Sequence, residues 1–366
     1  MSIKQNSIHD EPTSGIPGWD NEWEFQFSPF QGSYVPGRIC AAHKTRYDVI
    51  LPGDMLMLPI SGAMKAKRLF PVVGDFVVVL NHPDQASRMI VSILKRRTAL
   101  SRGGAGETAG EQMLAANIDI AFVVTDPGSD FSISRLERYL LIVHASGATP
   151  IIIVNKSDTS PDVAGIIDQV RQSLGDVYVF ALSAMTREGL DQIEPYLNNR
   201  QTVVVLGSSG VGKSTLINAL IGSNLQKTGH IREDDGKGRH TTTVRHLILL
   251  PSGCSLIDTP GLREIRVWTA AENMSDVFGD IMEVASRCRF SNCTHEQEPG
   301  CAVQAEISAG KLSPDHLDHY RKILKEVSFE RDKAEIGLKR LEKKKFQGIR
   351  ILAKEYREQQ KYKVGR

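Results

Sequence analysis

Residues 207–214 read Gly207-Ser208-Ser209-Gly210-Val211-Gly212-Lys213-Ser214, directly after the apolar run TVVVL and directly before TLINALI. This G-x-x-x-x-G-K-[ST] pattern between a strand and a helix constrains the surrounding fold more than any other feature of the chain. The glycines let the backbone curl without Cβ clashes, so that its N–H groups face a polyphosphate. The helix that follows adds the positive end of its dipole. Lys213 is placed to reach the β- and γ-phosphates, and Ser214, followed by Thr215, offers a hydroxyl to Mg²⁺. Such a loop calls for a strand that feeds a helix inside a layered α/β sheet.

The flanking sequence fits that demand. From 113 to 269, continuous apolar runs (IDIAFVVTD, TPIIIVNKSD, DVYVFALSA, QTVVVLGSSG) alternate with helical patterns (SRLERYLLIVHASG, DVAGIIDQVRQSLG, REGLDQIEPYL). The alternation indicates a mostly parallel sheet, and HLILLPSGCSLIDTP reads as a hairpin turning at Ser252-Gly253. Asn155-Lys156-Ser157-Asp158 ends the run PIIIV, at the edge where open α/β sheets bind ligands. The Asp158 carboxylate can accept from the N1–H and N2–H₂ of guanine, a donor pair that adenine lacks. Asn155 can bridge loops or touch the base edge, and the Lys156 stem can cover the ring. Ser183-Ala184 can offer a backbone N–H to guanine O6.

Asp258-Thr259-Pro260-Gly261 closes the hairpin. Asp258 is expected to hold Mg²⁺, and the Gly261 N–H to sense the γ-phosphate. The polar segment Gly222–Thr243 has the length of a functional loop, with Thr242 or Thr243 completing the Mg²⁺ shell. Small GTPases place a water-orienting Gln just after D-x-x-G. Leu262 stands there instead. His240 is then the nearest polar candidate, and a solvated loop histidine is the plain alternative.

Residues 31–97 hold five short β-prone runs separated by Gly, Pro and Asn-His-Pro-Asp breaks, which suits an OB-fold barrel, and their basic residues outnumber the acids. That balance suits RNA, with a solvated barrel surface as the alternative. Residues 98–112 are Gly/Ala/Thr-rich and read as a linker. Residues 1–30 read as a flexible tail, in which Trp19, Trp23, Phe25 and Phe27 are candidates to pack on a neighbouring surface.

Cys288, Cys293, His295 and Cys301 supply a closed Cys₃His set suited to one structural Zn²⁺ within a helical domain spanning 270–330. Five cysteines in all, three of them within 14 residues, argue against a disulfide framework and for a reduced compartment. Cys40 and Cys254 lie in β-prone runs and read as core. The chain nets +2, yet residues 321–366 carry sixteen Lys or Arg against seven Asp or Glu. The basic helical tail, 331–366, is therefore a candidate for contact with RNA phosphates. No apolar run approaches the roughly 18 residues of a membrane span.

The motifs run NKSD, SA, phosphate loop, Thr loop, DTPG, a circularly permuted order. With GSSGVGKSTLIN, GRHTTT, IDTPGLRE, the preceding barrel and the following Cys/His cluster, the chain resembles the ribosome-small-subunit-dependent GTPases, the RsgA family. The resemblance covers about residues 31–330. It implies an OB barrel, a permuted P-loop GTPase domain and a zinc-binding α-helical domain. It also implies a cytoplasmic, monomeric GTP hydrolase that acts late in maturation of the small (30S) ribosomal subunit, binds its rRNA and is stimulated by it. A nucleotide-gated RNA-binding module with incidental hydrolysis is the competing reading. An ATP-dependent kinase is a third, and NKSD argues against it.

Overall fold

Nine residues, Tyr34–Ala42, form a strand (β1) that serves two neighbours at once. One edge pairs antiparallel with β2 (Tyr47–Leu51) and the other with β4 (Phe76–Leu80). β2 continues to β3 (Asp54–Leu58), and β4 to β5 (Ile90–Ile93). A parallel bridge between Ile60 and Ile90 closes the five strands into the expected barrel. The computed structural model describes residues 15–84, 87–103, 111–128, 130–198, 200–222, 245–258 and 273–336.

The barrel interior follows strand alternation: Ile39, Val49, Leu51, Val77, Val79 and Ile90 point inward. Gly37 is required here, since a Cβ would lie 2.6 Å from Val49 Cγ1. Helix α2 (Gly62–Ala66) is capped by the Ser61 hydroxyl, which accepts from the Met64 N–H at 3.3 Å, and the buried Met64 joins the barrel core. On the opposite face of β4, Phe76 and Val78 meet Trp19, Trp23 and Phe27. Residues 15–30 are therefore not a loose tail. Asp20 caps helix α1 (Asn21–Phe27), and its carboxylate also pairs with Arg97 at 2.6 Å. The Arg97 guanidinium lies 4.2 Å from the Trp23 ring centroid. Phe25 is the exception and faces solvent. The expected linker is also partly strand. β6 (Ala99–Gly103) and β7 (Glu111–Ala116) form a two-stranded sheet with Leu100 and Leu114 buried, a pairing hidden by the small-residue composition between them.

The larger sheet comprises β8 (Ile120–Thr125), β9 (Thr149–Val154), β10 (Tyr178–Ala181), β11 (Thr202–Gly207), β12 (His246–Leu249) and β13 (Ser255–Asp258). Its order is β10-β9-β8-β11-β13-β12, parallel except for β12. Helices α3 (Ile133–Ser146), α4 (Val163–Leu174) and α5 (Lys213–Ile221) pack on it around a core that includes Phe122, Ile153, Val205 and Leu216. The expected helix REGLDQIEPYL is instead two 3₁₀ turns, Leu190–Gln192 and Glu194–Tyr196. Pro195 lacks an N–H, so it suits the start of a short turn better than the middle of a helix. Burial pushes Cys254 up to about 12 and Cys40 up to about 11, which keeps both as protonated core thiols.

The barrel and the sheet are joined where β1 pairs with β12, at Ala41 and His246. Beside that seam the fully buried Arg38 donates to Thr202 Oγ1 (2.6 Å), Ser255 Oγ (3.1 Å) and the Pro17 carbonyl (2.7 Å). Burial lowers its pKa to about 10, opposed chiefly by the charge of Asp119. Arg38→Ala leaves three polar groups and Asp119 without this partner. The expected result is a loss of about 3–5 kcal/mol in the urea unfolding free energy of this unit.

The chain divides into two compact units, Met1–Ser101 with Met113–Ile265, and Arg102–Gln112 with Arg266–Arg366. The second contains α6 (Met274–Ala285), α7 (Ala302–Ser308) and α8 (Pro314–Ile336). Its small apolar core gathers Phe278, Ile281, Val303, Leu317 and Ile323. α8 runs through the expected boundary at 330, and the rest of the basic tail lies outside the described residues. Among the described residues no helix is long and apolar enough to cross a membrane.

Candidate nucleotide site and metal centre

β11 delivers the chain into the glycine loop at the C-terminal edge of the sheet, and α5 begins at Lys213. Gly207 (φ 143°) and Gly212 (φ 92°) are both required. A Cβ on the first would sit 2.3 Å from the Val124 carbonyl oxygen, and one on the second 2.3 Å from Asn155 Nδ2. Among the described residues no side chain caps the start of α5, where the positive end of the helix dipole favours a phosphate. Val211 is buried and pins the loop, while Ser209, Gly210, Ser214 and Thr215 are exposed at its rim. The Lys213 ammonium folds back to donate to the Gly207 (2.8 Å) and Ser208 carbonyls. These acceptors hold a cation where a phosphate would otherwise draw it.

The base-reading loop is tied to this one by Asn155. Its Nδ2 donates to the Val211 carbonyl at 2.8 Å, and its Oδ1 accepts from the Ala184 N–H at 3.0 Å. One buried amide thus joins the glycine loop, NKSD and Ser183-Ala184, which is the bridging role read from the sequence. The Ser183 N–H donates to the Glu188 carbonyl at 2.9 Å, so the N–H groups of Ser183 and Ala184 both have partners within the protein. Ser157 and Asp158 form a 3₁₀ turn with Thr159, and the Asp158 side chain is exposed at the sheet edge. Asp258 ends β13 beside Val205 of β11, and its other cross-strand neighbour is His246. His240, Thr242, Thr243, Gly261 and Leu262 lie outside the described residues.

Two contributors have no motif to announce them. Asp126, just after β8, accepts from Lys156 Nζ at 2.8 Å. Burial raises the Asp126 carboxyl, but the Lys156 hydrogen bond outweighs it and holds the pKa below the usual carboxylate range. Lys156 itself is left-handed (φ 59°), so the ion pair steers a side chain on an otherwise disfavoured backbone. Tyr139, buried on α3, bonds the Ser208 side chain, and its phenol is raised by burial. Asp126→Ala releases the Lys156 stem, and GDP affinity, followed with a fluorescent GDP analogue, is expected to fall about three- to tenfold.

In the second unit, Cys288 Sγ lies 3.6 Å and Cys301 Sγ 3.5 Å from His295 Nδ1, with 3.9 Å between the two sulfurs. Cys293 completes a set whose donor atoms all lie within 4.8 Å of one another. Tetrahedral Zn²⁺, with Zn–S about 2.3 Å and Zn–N about 2.0 Å, requires S···S near ~3.8 Å and S···N near ~3.5 Å. The donor set fits that ion. Around it, the His295 carbonyl accepts from Gln304 Nε2 (2.5 Å) and from Arg321. Hydrogen bonds from Thr294 hold Glu298 down to about 2, which fixes the turn between the ligands.

A glycine phosphate loop on β11 and an NKSD loop on β9, carried by one sheet with the second earlier in the chain, define a circularly permuted P-loop GTPase. Two solved structures share this architecture. They are YjeQ from Thermotoga maritima (23% identical, TM-score 0.59, 80% of this chain and 98% of that one) and YloQ, described as a circularly permuted GTPase (25% identical, TM-score 0.56, 81% and 95%). The RsgA GTPase family model matches residues 93–268. A Methanosarcina acetivorans protein named small ribosomal subunit biogenesis GTPase RsgA is 50% identical over 97% of this chain and 96% of its own length. An Opitutus terrae protein of the same name is 38% identical over 91% and 94%. The chain belongs to the RsgA GTPase family.

Proposed function

We propose that this chain is a cytoplasmic, monomeric GTP hydrolase that binds the small (30S) ribosomal subunit and its rRNA late in maturation and is stimulated by it. The observation that carries the reading is the Asn155 bridge. It ties a phosphate loop to a guanine-reading loop within a chain 50% identical, over almost its whole length, to a protein named for that task.

Residues 207–215 cradle the triphosphate, with Lys213 neutralising the β- and γ-phosphates. Asp158 selects guanine, Asn155 and Ser157 shape its loop, Lys156 covers the ring, and Ser183-Ala184 border O6. Mg²⁺ would be held by Ser214, Asp258 and a threonine of the 242–243 pair, and when bound would supply charge neutralisation to the triphosphate. The Gly261 N–H reports the γ-phosphate, and His240 orients the attacking water in place of the missing Gln. Cys288, Cys293, His295 and Cys301 would hold Zn²⁺, which when bound would supply rigidity to the second unit rather than chemistry for hydrolysis.

GTP turnover measured with and without purified small subunits tests the reading. Stimulation by the subunit is expected. Equal turnover in both conditions would leave an RNA-binding module with incidental hydrolysis.

A further inference from the structure

Helix α2 ends in a turn that its own residues disfavour. The Leu69 N–H bonds the Met64 carbonyl at 2.9 Å and the Arg68 N–H bonds the Lys65 carbonyl at 3.1 Å. This pair of bonds marks a left-handed helix stop whose left-handed residue is usually Gly. Here that residue is Arg68, with φ 55°. Among the described residues its side chain, exposed, has no hydrogen-bond or ion-pair partner, so no contact there accounts for the strain. Strain kept where the side chain serves no internal contact directs attention outward.

The neighbours agree. Lys65 and Lys67 are exposed and have no acidic partner among the described residues, and Leu69 and Phe70 are 50% and 54% exposed. Lys65 and Lys67 also suit the negative end of a helix. That account does not extend to Arg68 or to the open aromatic ring of Phe70.

Strands 2 and 3 form the usual oligonucleotide face of such a barrel. Here that outward face carries Asp48, Ile50, Met55 and Met57, with no cation and no aromatic ring. The chemistry suited to a polyanion with open bases therefore lies at the end of α2.

We propose that residues 65–70, centred on Arg68 and Phe70, form a contact for single-stranded RNA. The backbone phosphates lie on Lys65, Lys67 and Arg68, and one unpaired base stacks on Phe70. The proposal rests on the reading of the chain as a small-subunit factor and adds a specific surface to it.

The test titrates the full chain against a fluorescein-labelled oligouridylate of about 12 nucleotides, between about 50 and 200 mM salt. Phe70→Ala is expected to weaken binding about tenfold, and Phe70→Trp to keep it. Arg68→Gly is expected to raise the thermal midpoint, because the turn relaxes, while flattening the log–log salt slope by about 0.7. Opposite signs for stability and binding separate this result from misfolding. Unchanged affinity and slope in both Phe70→Ala and Arg68→Gly overturn the proposal. Intact oligonucleotide binding with defective binding to whole small subunits also overturns it, assigning the surface to a ribosomal protein. Subunit-stimulated turnover of the unsubstituted chain is read in parallel. Its absence would undo the functional reading, whereas its presence with unaltered variants undoes this surface alone.

Discussion

Cys301→Ser is expected to abolish zinc binding and unfold the second unit while the first still binds nucleotide. The core of that unit among the described residues is small, and Cys301 and His295 are themselves among its buried residues. Cys301 is also tied into the fold by its backbone, at the start of α7 with its sulfur 3.5 Å from the Gln304 N–H. In structural zinc sites of this size the metal contributes on the order of 10–16 kcal/mol, and that binding energy is folding energy. Loss of one thiolate should therefore release the ion and expose α6 and α7 to protease. Zinc content of the purified chain and limited proteolysis over residues 273–336 check this. Cys40→Ser, which lies outside the ligand set, should leave zinc content unchanged. A Cys301→Ser chain that keeps its zinc and its protease resistance would show that the cluster does not hold this unit together.

Lys213→Ala is expected to lower turnover by about a hundredfold to a thousandfold while changing GDP affinity far less. Lys213 Nζ now sits on the Gly207 and Ser208 carbonyls. A bound triphosphate offers full negative charge in place of those dipoles, and the charge shifts further toward the β–γ bridge as the bond breaks. An interaction that strengthens toward the transition state appears in kcat more than in ground-state binding. Single-turnover hydrolysis with parallel GDP titration separates the two effects. Turnover within about threefold of the unsubstituted chain would place charge neutralisation elsewhere.

What the sequence disclosed and what it hid have physical causes. The phosphate loop, NKSD and the Cys₃His set are local patterns whose chemistry fixes residue type and spacing, and the structure gathers each of them. The barrel is legible because five short β-prone runs are set off by Gly, Pro and Asn-His-Pro-Asp breaks. Residues 15–30 read as a tail with aromatics able to pack, but what Trp19, Trp23 and Phe27 pack on, Phe76 and Val78, lies about fifty residues on, a separation that local pattern does not encode. Arg38 is one of the basic residues that outnumber the acids in the barrel sequence. Only the seam with β11 and β13 shows it buried. Asp126 and Tyr139 were missed because their partners, Lys156 and Ser208, are brought to them by the sheet order rather than by the chain. The one signal on offer was that Asp126 follows an apolar strand at the ligand edge.

The central claim is that the NKSD carboxylate chooses the purine. Isothermal titration of the full chain with GTP and ATP, before and after Asp158→Ala, measures it directly. Loss of two charge-assisted hydrogen bonds should weaken GTP binding about a hundredfold and leave ATP binding as it was, erasing the preference. A variant that still favours GTP over ATP as strongly as the unsubstituted chain would contradict it.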